Sequence, residues 1–357
     1  MFWAIVAGII AALVGMTIYL LRGEDLRRYD LAVPEPRTGA AASSAELAAV
    51  IASLGELTTV PAGTSHRQRL ALQRTRLDAL GDDVRFAGTI APTRPDQPSG
   101  EWVIAPRADA SRRLLYLHGG AWTMGSPRSH RAITTRLAEI IGGTVLSLDY
   151  RLMPEYRRRA GLQDCCRAYR WLIEHGPEGP HAADRLFVAG DSAGGNLVLA
   201  VLAWARDQRL RQPDAAVALS PVTDCSFSSP SLVDNIATDP MLGPLFGHLA
   251  RLPTWLKVWI AAASHQAHPR DPAVSPIYGD LSRLPPLLIQ ASEAEMLIDD
   301  ARRYANKALA SASPVVLQTW PDMVHVWPIF ADRLPQGREA FAAIADFLQR
   351  GTARQRL

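Results

Sequence analysis

The sequence predicts an α/β domain with a doubly wound, mostly parallel sheet of about eight strands and helices on both faces, topped by a helical cap and preceded by one transmembrane helix. Two observations carry the sheet. Short β-rich runs at Val84 to Ile90, Glu101 to Ile104, Leu114 to Leu117, Thr144 to Leu148, Leu186 to Ala189, Ala216 to Leu219, Leu287 to Gln290 and Val315 to Thr319 alternate, after the first few, with helix-length segments. The interior runs are nearly continuous in apolar residues, as parallel strands are when crossover helices bury both of their faces. A third observation sets the scale: 48% apolar and 20% charged residues over 357 positions is the balance of a globular chain able to bury a substantial core.

The first element differs in kind from the rest. From Phe2 to Leu21 there is no charged side chain, and such a helix, at about 1.5 Å per residue, spans roughly the 30 Å hydrocarbon core of a bilayer. The start lacks Lys and Arg, and no small-x-small cleavage site separates the apolar run from Arg22, which favours an anchor over a cleaved signal. Arg22, Arg27 and Arg28 follow the run, so positive charge predicts that the main domain faces the cytoplasm. The expected division is an anchor at 1–22, a linker at 23–45 marked by Pro34, Pro36 and Gly39, and the main domain at 46–350.

Between Glu46 and Leu80 two helical stretches are expected. In the second, Leu70, Leu77 and Leu80 form a stripe flanked by Arg67, Arg74, Arg69 and Arg76, which suits a solvated helix over a core or a helix resting on anionic headgroups. The interval from Cys225 to Pro276 is too long for a plain connection and is rich in apolar residues, among them Phe227, Met241, Leu242, Trp255 and Trp259. Residues 46–80 and 225–276 are therefore assigned to a cap over the C-terminal edge of the sheet, where open α/β folds bind their ligands.

Composition also excludes. The net charge of +3 is small, and the basic residues form no run interleaved with aromatics, so nucleic acid is not an expected partner. The three cysteines, Cys165, Cys166 and Cys225, are too few for a disulfide framework and read as small buried apolar residues. No histidine and cysteine cluster has ligand spacing, so neither a metal nor an organic cofactor is implied.

The chemistry is concentrated in a few loops. Gly190-Asp191-Ser192-Ala193-Gly194 has the form G-x-S-x-G, with a predicted strand before it and a helix-forming run after it. A tight strand-to-helix turn of this kind lifts the serine hydroxyl clear at a helix N-terminus. That hydroxyl is a weak nucleophile and needs a base, and the base needs a carboxylate to orient it. Of nine histidines, His325 alone follows the last predicted strand. The acid is expected just beyond Leu287 to Gln290, where Glu293 and Glu295 lie in the loop, with Glu295 favoured; Asp299 and Asp300 read as helix-start residues. Upstream, Leu114 to Leu117 runs into His118-Gly119-Gly120-Ala121-Trp122. The amides of Gly119, Gly120 and Ala121, together with Ala193, are candidate donors to an oxyanion, and His118 reads as a structural turn residue.

These motifs, with Asp149-Tyr150-Arg151-Leu152-x-Pro154-Glu155, Ser220-Pro221-x-Thr223-Asp224 and Asp239-Pro240-Met241-Leu242, resemble those of the hormone-sensitive-lipase-like branch of the α/β-hydrolases. That branch includes bacterial carboxylesterases and the membrane-anchored arylacetamide deacetylases. The resemblance covers roughly Glu46 to Ala345 and implies Ser192 as nucleophile, His325 as base and, immediately before the x-Leu297-x-Asp299 pattern, Glu295 as acid. Two departures stand out. Ala121 replaces a usual third glycine, which places esters of bulky tertiary alcohols in doubt, and Tyr156-Arg157-Arg158-Arg159 replaces the usual His-Pro-Phe-Pro-like stretch and reads as a basic surface.

The expected activity is hydrolysis of a carboxylic ester through an acyl-enzyme. Trp122, Phe227, Met241, Leu242, Val326 and Trp327 are the expected substrate contacts, favouring a short or medium acyl chain or a lipophilic alcohol. The anchor adds membrane lipid as a partner. Amide or lactone hydrolysis uses the same machinery, and a non-catalytic binding protein on this fold is the alternative of another class, disfavoured by the presence of His325.

Overall fold

The computed structural model describes residues 1–31 and 44–353. Eight strands form one sheet: β1 (Thr89–Pro92), β2 (Gly100–Ile104), β3 (Arg112–Leu117), β4 (Thr144–Leu148), β5 (Arg185–Asp191), β6 (Ala215–Leu219), β7 (Leu287–Ser292) and β8 (Val315–Trp320). Their order is β1-β2-β4-β3-β5-β6-β7-β8. From β4 to β8 every neighbouring pair is parallel, and β2 alone runs antiparallel to both of its neighbours. The helices are α1 (Phe2–Leu21), α2 (Ser44–Thr58), α3 (His66–Asp78), α4 (Arg131–Ile141), α5 (Arg158–Glu174), α6 (Ala193–Asp207), α7 (Ser231–Asp234), α8 (Leu242–Ala250), α9 (Thr254–His265), α10 (Ile298–Ala310) and α11 (Pro335–Ala353).

The two-residue period of a strand divides the core. In β3, Leu115 and Leu117 join the layer formed by α5, α6 and α10, whereas Leu114 and Tyr116 face α4 and α11. Strands β3, β4, β6 and β7 thus carry apolar side chains to both faces, which is why their sequences do not alternate. One predicted strand is corrected: of Val84 to Ile90, only Thr89 and Ile90 enter β1. Thr89 already pairs with Ile104, the last residue of β2, so the residues upstream have no ladder to join.

The two segments expected to form a cap both pack near the C-terminal ends of β7 and β8. Val50 and Leu54 of α2 are buried against Trp320, Met323, Val324 and Trp327, in and after β8. Helix α3 begins with a reciprocal Ser65–Gln68 capping box and has no buried residue. Its Arg74 reaches inward, donating to the carbonyls of Thr123 (2.8 Å) and Met153 (3.1 Å) and to the Glu155 carboxylate (2.8 Å). Leu232, Leu242 and Ala250 pack on Met296 and Leu297, between β7 and α10.

Helix α1 is long and apolar enough to cross a membrane, with a mean hydropathy of 2.5, and only its Leu20 is buried. Of the segment read as a linker, 32–43 lies outside the described residues, and 23–31 is a docked turn and not a free tether. Lys307 binds Glu24 (2.7 Å), Asn306 donates to the carbonyls of Tyr29 and Leu31, the Asp30 carboxylate receives the Arg303 guanidinium at 2.5 and 2.9 Å, and Leu26 is buried. The composition alone did not disclose this, because the partners lie on α10, some 270 residues away.

Candidate active site

Strand β5 ends in the turn that carries Ser192, whose φ of +52° lies in the left-handed region that non-glycine residues seldom adopt. Two glycines make that turn possible. A Cβ on Gly190 would strike the Leu117 carbonyl oxygen, and one on Gly194 would strike the carbonyl oxygens of both Leu117 and His118, so the flanking strand can approach only if both lack side chains. The Ser192 N–H is held by the Leu219 carbonyl (2.7 Å), and α6 begins at the next residue.

His325 arrives from the loop after β8. Its Nε2 lies 2.9 Å from Ser192 Oγ, and its Nδ1 lies 2.6 Å from Glu295 Oε2. A carboxylate only accepts, so Nδ1 carries the hydrogen, and Nε2 of the neutral ring is left to accept from the serine hydroxyl. Glu295 is fully buried, its other oxygen accepting from the Ser292 N–H at 2.8 Å. Burial presses the His325 pKa downward, but the hydrogen bond and charge of Glu295, with smaller contributions from Asp239 and Asp191, outweigh it and hold the imidazole above its ordinary value.

Two loops frame this chain. The Glu295 loop is fastened from the cap: Asn235 Nδ2 donates to the carbonyls of Glu293 (2.8 Å) and Glu295 (2.9 Å), and the Asp239 carboxylate accepts from the Met296 N–H (2.9 Å). On the other side, Gly120, Ala121 and Trp122 all have positive φ, and the amides of Gly120, Ala121 and Ala193 have no hydrogen-bond partner among the described residues. Gly119 is different, and its place among the donors is corrected: its N–H is committed to Asp191 Oδ1 at 3.0 Å. His118 is buried, stacked at 4.3 Å on Tyr150, with its pKa pushed down to about 3 by burial first and by His130 second.

A family model for the alpha/beta hydrolase fold matches residues 114–329. An acetyl-hydrolase of Streptomyces hygroscopicus is 40% identical over 255 residues, which cover 71% of this chain and 80% of that protein. The esterase LipU of Mycobacterium tuberculosis is 34% identical over 248 residues, covering 69% and 80%. A crystal structure of an esterase from the bacterial hormone-sensitive lipase family matches with a TM-score of 0.73 at 36% identity, over 87% of this chain and 99% of that one. The chain belongs to the hormone-sensitive-lipase-like family of α/β hydrolases. With that family it is an enzyme of the carboxylesterase type.

Within this hydrolase the expected substrate contacts fare unequally. Phe227, Met241 and Leu242 pack together in the cap cluster beside Met296 and Leu297, and Trp122 follows the free amides directly. Trp327 is corrected: it is fully buried, meets the Trp320 ring at 5.0 Å in a tilted arrangement, and donates its indole N–H to the Gln336 carbonyl of α11. Val326 is likewise buried, in the core cluster of α4 and α11, and its N–H donates to Ser220 Oγ (3.3 Å).

The aspartates after Glu295 are also reassigned. Asp300 does not cap α10; it is fully buried and accepts from the N–H groups of Thr223 (2.7 Å) and Asp224 (2.9 Å), while Asp299 accepts from the Ser231 N–H (2.9 Å). Both bind the chain that leaves β6 to α10. Sequence reasoning missed Asn235 and the roles of Tyr116 and His130, which lie in no spaced motif, and the role of Ser220, for which the motif Ser220-Pro221-x-Thr223-Asp224 was the available signal. For Asp239 the motif Asp239-Pro240-Met241-Leu242 was the available signal. Among the described residues there is no group of three or more His, Cys, Asp or Glu able to hold a metal ion.

Proposed function

We propose that this carboxylesterase works through an acyl-enzyme. Ser192 attacks the ester carbonyl, His325 takes its proton and later returns it to the alcohol, and Glu295 orients and stabilises the imidazolium. The amides of Gly120, Ala121 and Ala193 receive the oxyanion, and water then releases the acid by the reverse sequence. The observation that carries this reading is the unbroken contact from Ser192 Oγ to His325 to Glu295, at 2.9 and 2.6 Å.

The substrate class is a short- to medium-chain or otherwise lipophilic ester, a reading supported by the apolar residues Phe227, Met241 and Leu242, which pack with Met296 and Leu297 next to Glu295 in the chain. The crystal structure of a structural relative, 33% identical, was obtained with a soak in p-nitrophenyl butyrate, which makes that ester a suitable probe here. Helix α1 anchors the enzyme in a membrane, with the main domain on the cytoplasmic side by its flanking arginines and its substrates drawn from the lipid phase.

Fluorophosphonate labelling tests the nucleophile: wild type is labelled and hydrolyses p-nitrophenyl butyrate, and Ser192→Ala does neither. Labelling of Ser192→Ala at the wild-type rate would refute the assignment. Cleavage across an acyl-length series of p-nitrophenyl esters measures the chain preference. C-terminal reporter fusions active only outside the cytoplasm would overturn the orientation.

A further inference from the structure

The stretch Tyr156-Arg157-Arg158-Arg159, where the chain departs from its family, is not a uniform basic surface. Arg157 and Arg159 are exposed, but Arg158, the first residue of α5, is only 3% exposed. Its Nη2 donates to Asn196 Oδ1 at 2.5 Å, and its guanidinium carbon lies 4.5 Å from the centre of the Trp122 ring. Among the described residues its Nε has no hydrogen-bond partner, and no carboxylate pairs with the guanidinium. The groups that act on it electrostatically are Cys225, Tyr150 and Cys165, all of which burial keeps protonated and neutral.

A buried charge without a counter-ion costs several kcal/mol, and an apolar side chain of similar volume is often the more stable choice. What distinguishes Arg158 is its two neighbours. Trp122 directly follows Ala121, one of the free amides, and its ring also meets His265 of the cap helix α9 at 5.2 Å. Asn196 lies in the first turn of α6, four residues after Ser192, and its N–H binds the Ser192 carbonyl at 3.0 Å. Asn196 Nδ2 is in turn committed to the carbonyls of Val222 and Val274, both at 2.9 Å, so the Asn196 amide is a fixed point.

We propose that Arg158 is a positioning residue for the oxyanion hole, setting on one planar group the spacing between the Ala121–Trp122 side and the Ser192–Ala193 side. The inference rests on the assignment of those amides as oxyanion donors. Such donors act only when they lie about 2.7–3.1 Å from the developing oxyanion. The left-handed backbone on the Trp122 side is tied by turn hydrogen bonds from the Thr123 and Met124 N–H groups to the Gly120 carbonyl (3.0 and 2.9 Å) and from the Met153 N–H to the Trp122 carbonyl (2.8 Å), and these backbone bonds leave the Trp122 ring to be fixed by its side-chain neighbours. Trp122 is held by Arg158 and by His265 of the cap, which makes its ring the point through which cap and oxyanion turn are joined.

The test uses Arg158→Met, Arg158→Lys, Trp122→Phe and the double variant Arg158→Met/Trp122→Phe in the full chain, with p-nitrophenyl butyrate. Arg158→Met is expected to lower kcat about 10- to 100-fold with KM within about twofold, because the oxyanion forms only in the transition state. The inhibition constant of an alkylboronic acid, which occupies the hole as a tetrahedral adduct, rises by a similar factor. The melting temperature does not fall, since an uncompensated buried charge has been removed. Arg158→Lys recovers part of kcat, and the double variant loses less than the product of the single losses.

Wild-type kcat in Arg158→Met overturns the proposal. So does a kcat loss accompanied by a lowered melting temperature and no recovery in Arg158→Lys, and so do multiplicative losses in the double variant. If wild type neither hydrolyses the ester nor takes the fluorophosphonate label, the underlying catalytic reading falls as well. If wild type does both and Arg158→Met matches it, the positioning role alone is lost.

Discussion

Two buried carboxylate and histidine pairs flank Ser192, and they are built for different work. Glu295 meets His325 Nδ1 at 2.6 Å and leaves Nε2 facing the serine hydroxyl. Asp191, the neighbour of Ser192 in sequence, meets His130 Nε2 at the longer distance of 3.3 Å. It also accepts from the Tyr116 hydroxyl (2.5 Å) and from the Gly119 N–H (3.0 Å). Burial pushes the Asp191 pKa up, but His130, Tyr116 and His118 together outweigh it and hold the carboxyl below the usual range. One pair leaves an open ring nitrogen toward the serine, and the other is a saturated tie between β3, the oxyanion turn and β5. The same two residue types give a base in one place and a brace in the other, and the donors gathered around the carboxylate separate them.

Replacing the carboxylates sharpens that difference. Glu295→Gln presents an amide that cannot enforce the correct tautomer, so kcat is expected to drop by about three orders of magnitude with stability nearly intact, as steady-state kinetics and thermal melting would show. Retention of near-full activity in Glu295→Gln with loss in Glu293→Gln would invert the assignment. Asp191→Asn removes the charge and turns the oxygen that faces His130 Nε2 into an amide nitrogen, while its remaining oxygen can still accept from Tyr116 and Gly119, and chemical denaturation is expected to register a loss of about 1–3 kcal/mol, with activity falling less than in Glu295→Gln. A catalytic loss in Asp191→Asn as large as that in Glu295→Gln would break the distinction.

A pH profile probes the same pair without changing a residue. Below its pKa His325 holds a proton and cannot accept one from Ser192, so kcat/KM falls on the acid side. Because Glu295 holds the imidazole above its ordinary value, that limb lies above the usual imidazole titration. Glu295→Gln should move the limb to lower pH in the remaining activity. Asp191 contributes in the opposite sense. Its carboxyl is held low in the fold, so its stabilisation is present above the unfolded-state pKa and is lost as pH falls through the folded one. The smallest effect is expected for Glu293→Gln. That side chain accepts from Thr319 Oγ at 3.2 Å, a bond that the amide oxygen of glutamine can also accept, and steady-state kinetics should find kcat within about twofold of wild type.

Much of this architecture was legible in advance. Seven of the eight strands appear close to where β-rich runs predicted them, because two-sided burial leaves a local apolar signature. The exception, β1, buries none of its four residues and so leaves no apolar signature, whereas β8, at the opposite edge of the sheet, buries four of its six. The residues around Ser192 were legible because a strand, a glycine-flanked serine and a helix must follow one another within a few positions. By contrast, Trp327 looked like a substrate contact and Arg158 like surface, since neither position's local sequence says which way the side chain turns.

The sequence by itself determined the period of each element, the sharp turn at Ser192 and an apolar first helix, all of which depend on residues within about one or two helical turns of each other. Only the tertiary structure decided that Glu295 lies against His325, that Gly119 gives its N–H to Asp191 while Gly120 and Ala121 keep theirs, and that residues 23–31 dock on α10. Ser192 and His325 stand 133 positions apart. Contacts across such separations depend on how whole layers pack, and hydrogen-bond partners follow from distances of a few tenths of an ångström that no local pattern encodes.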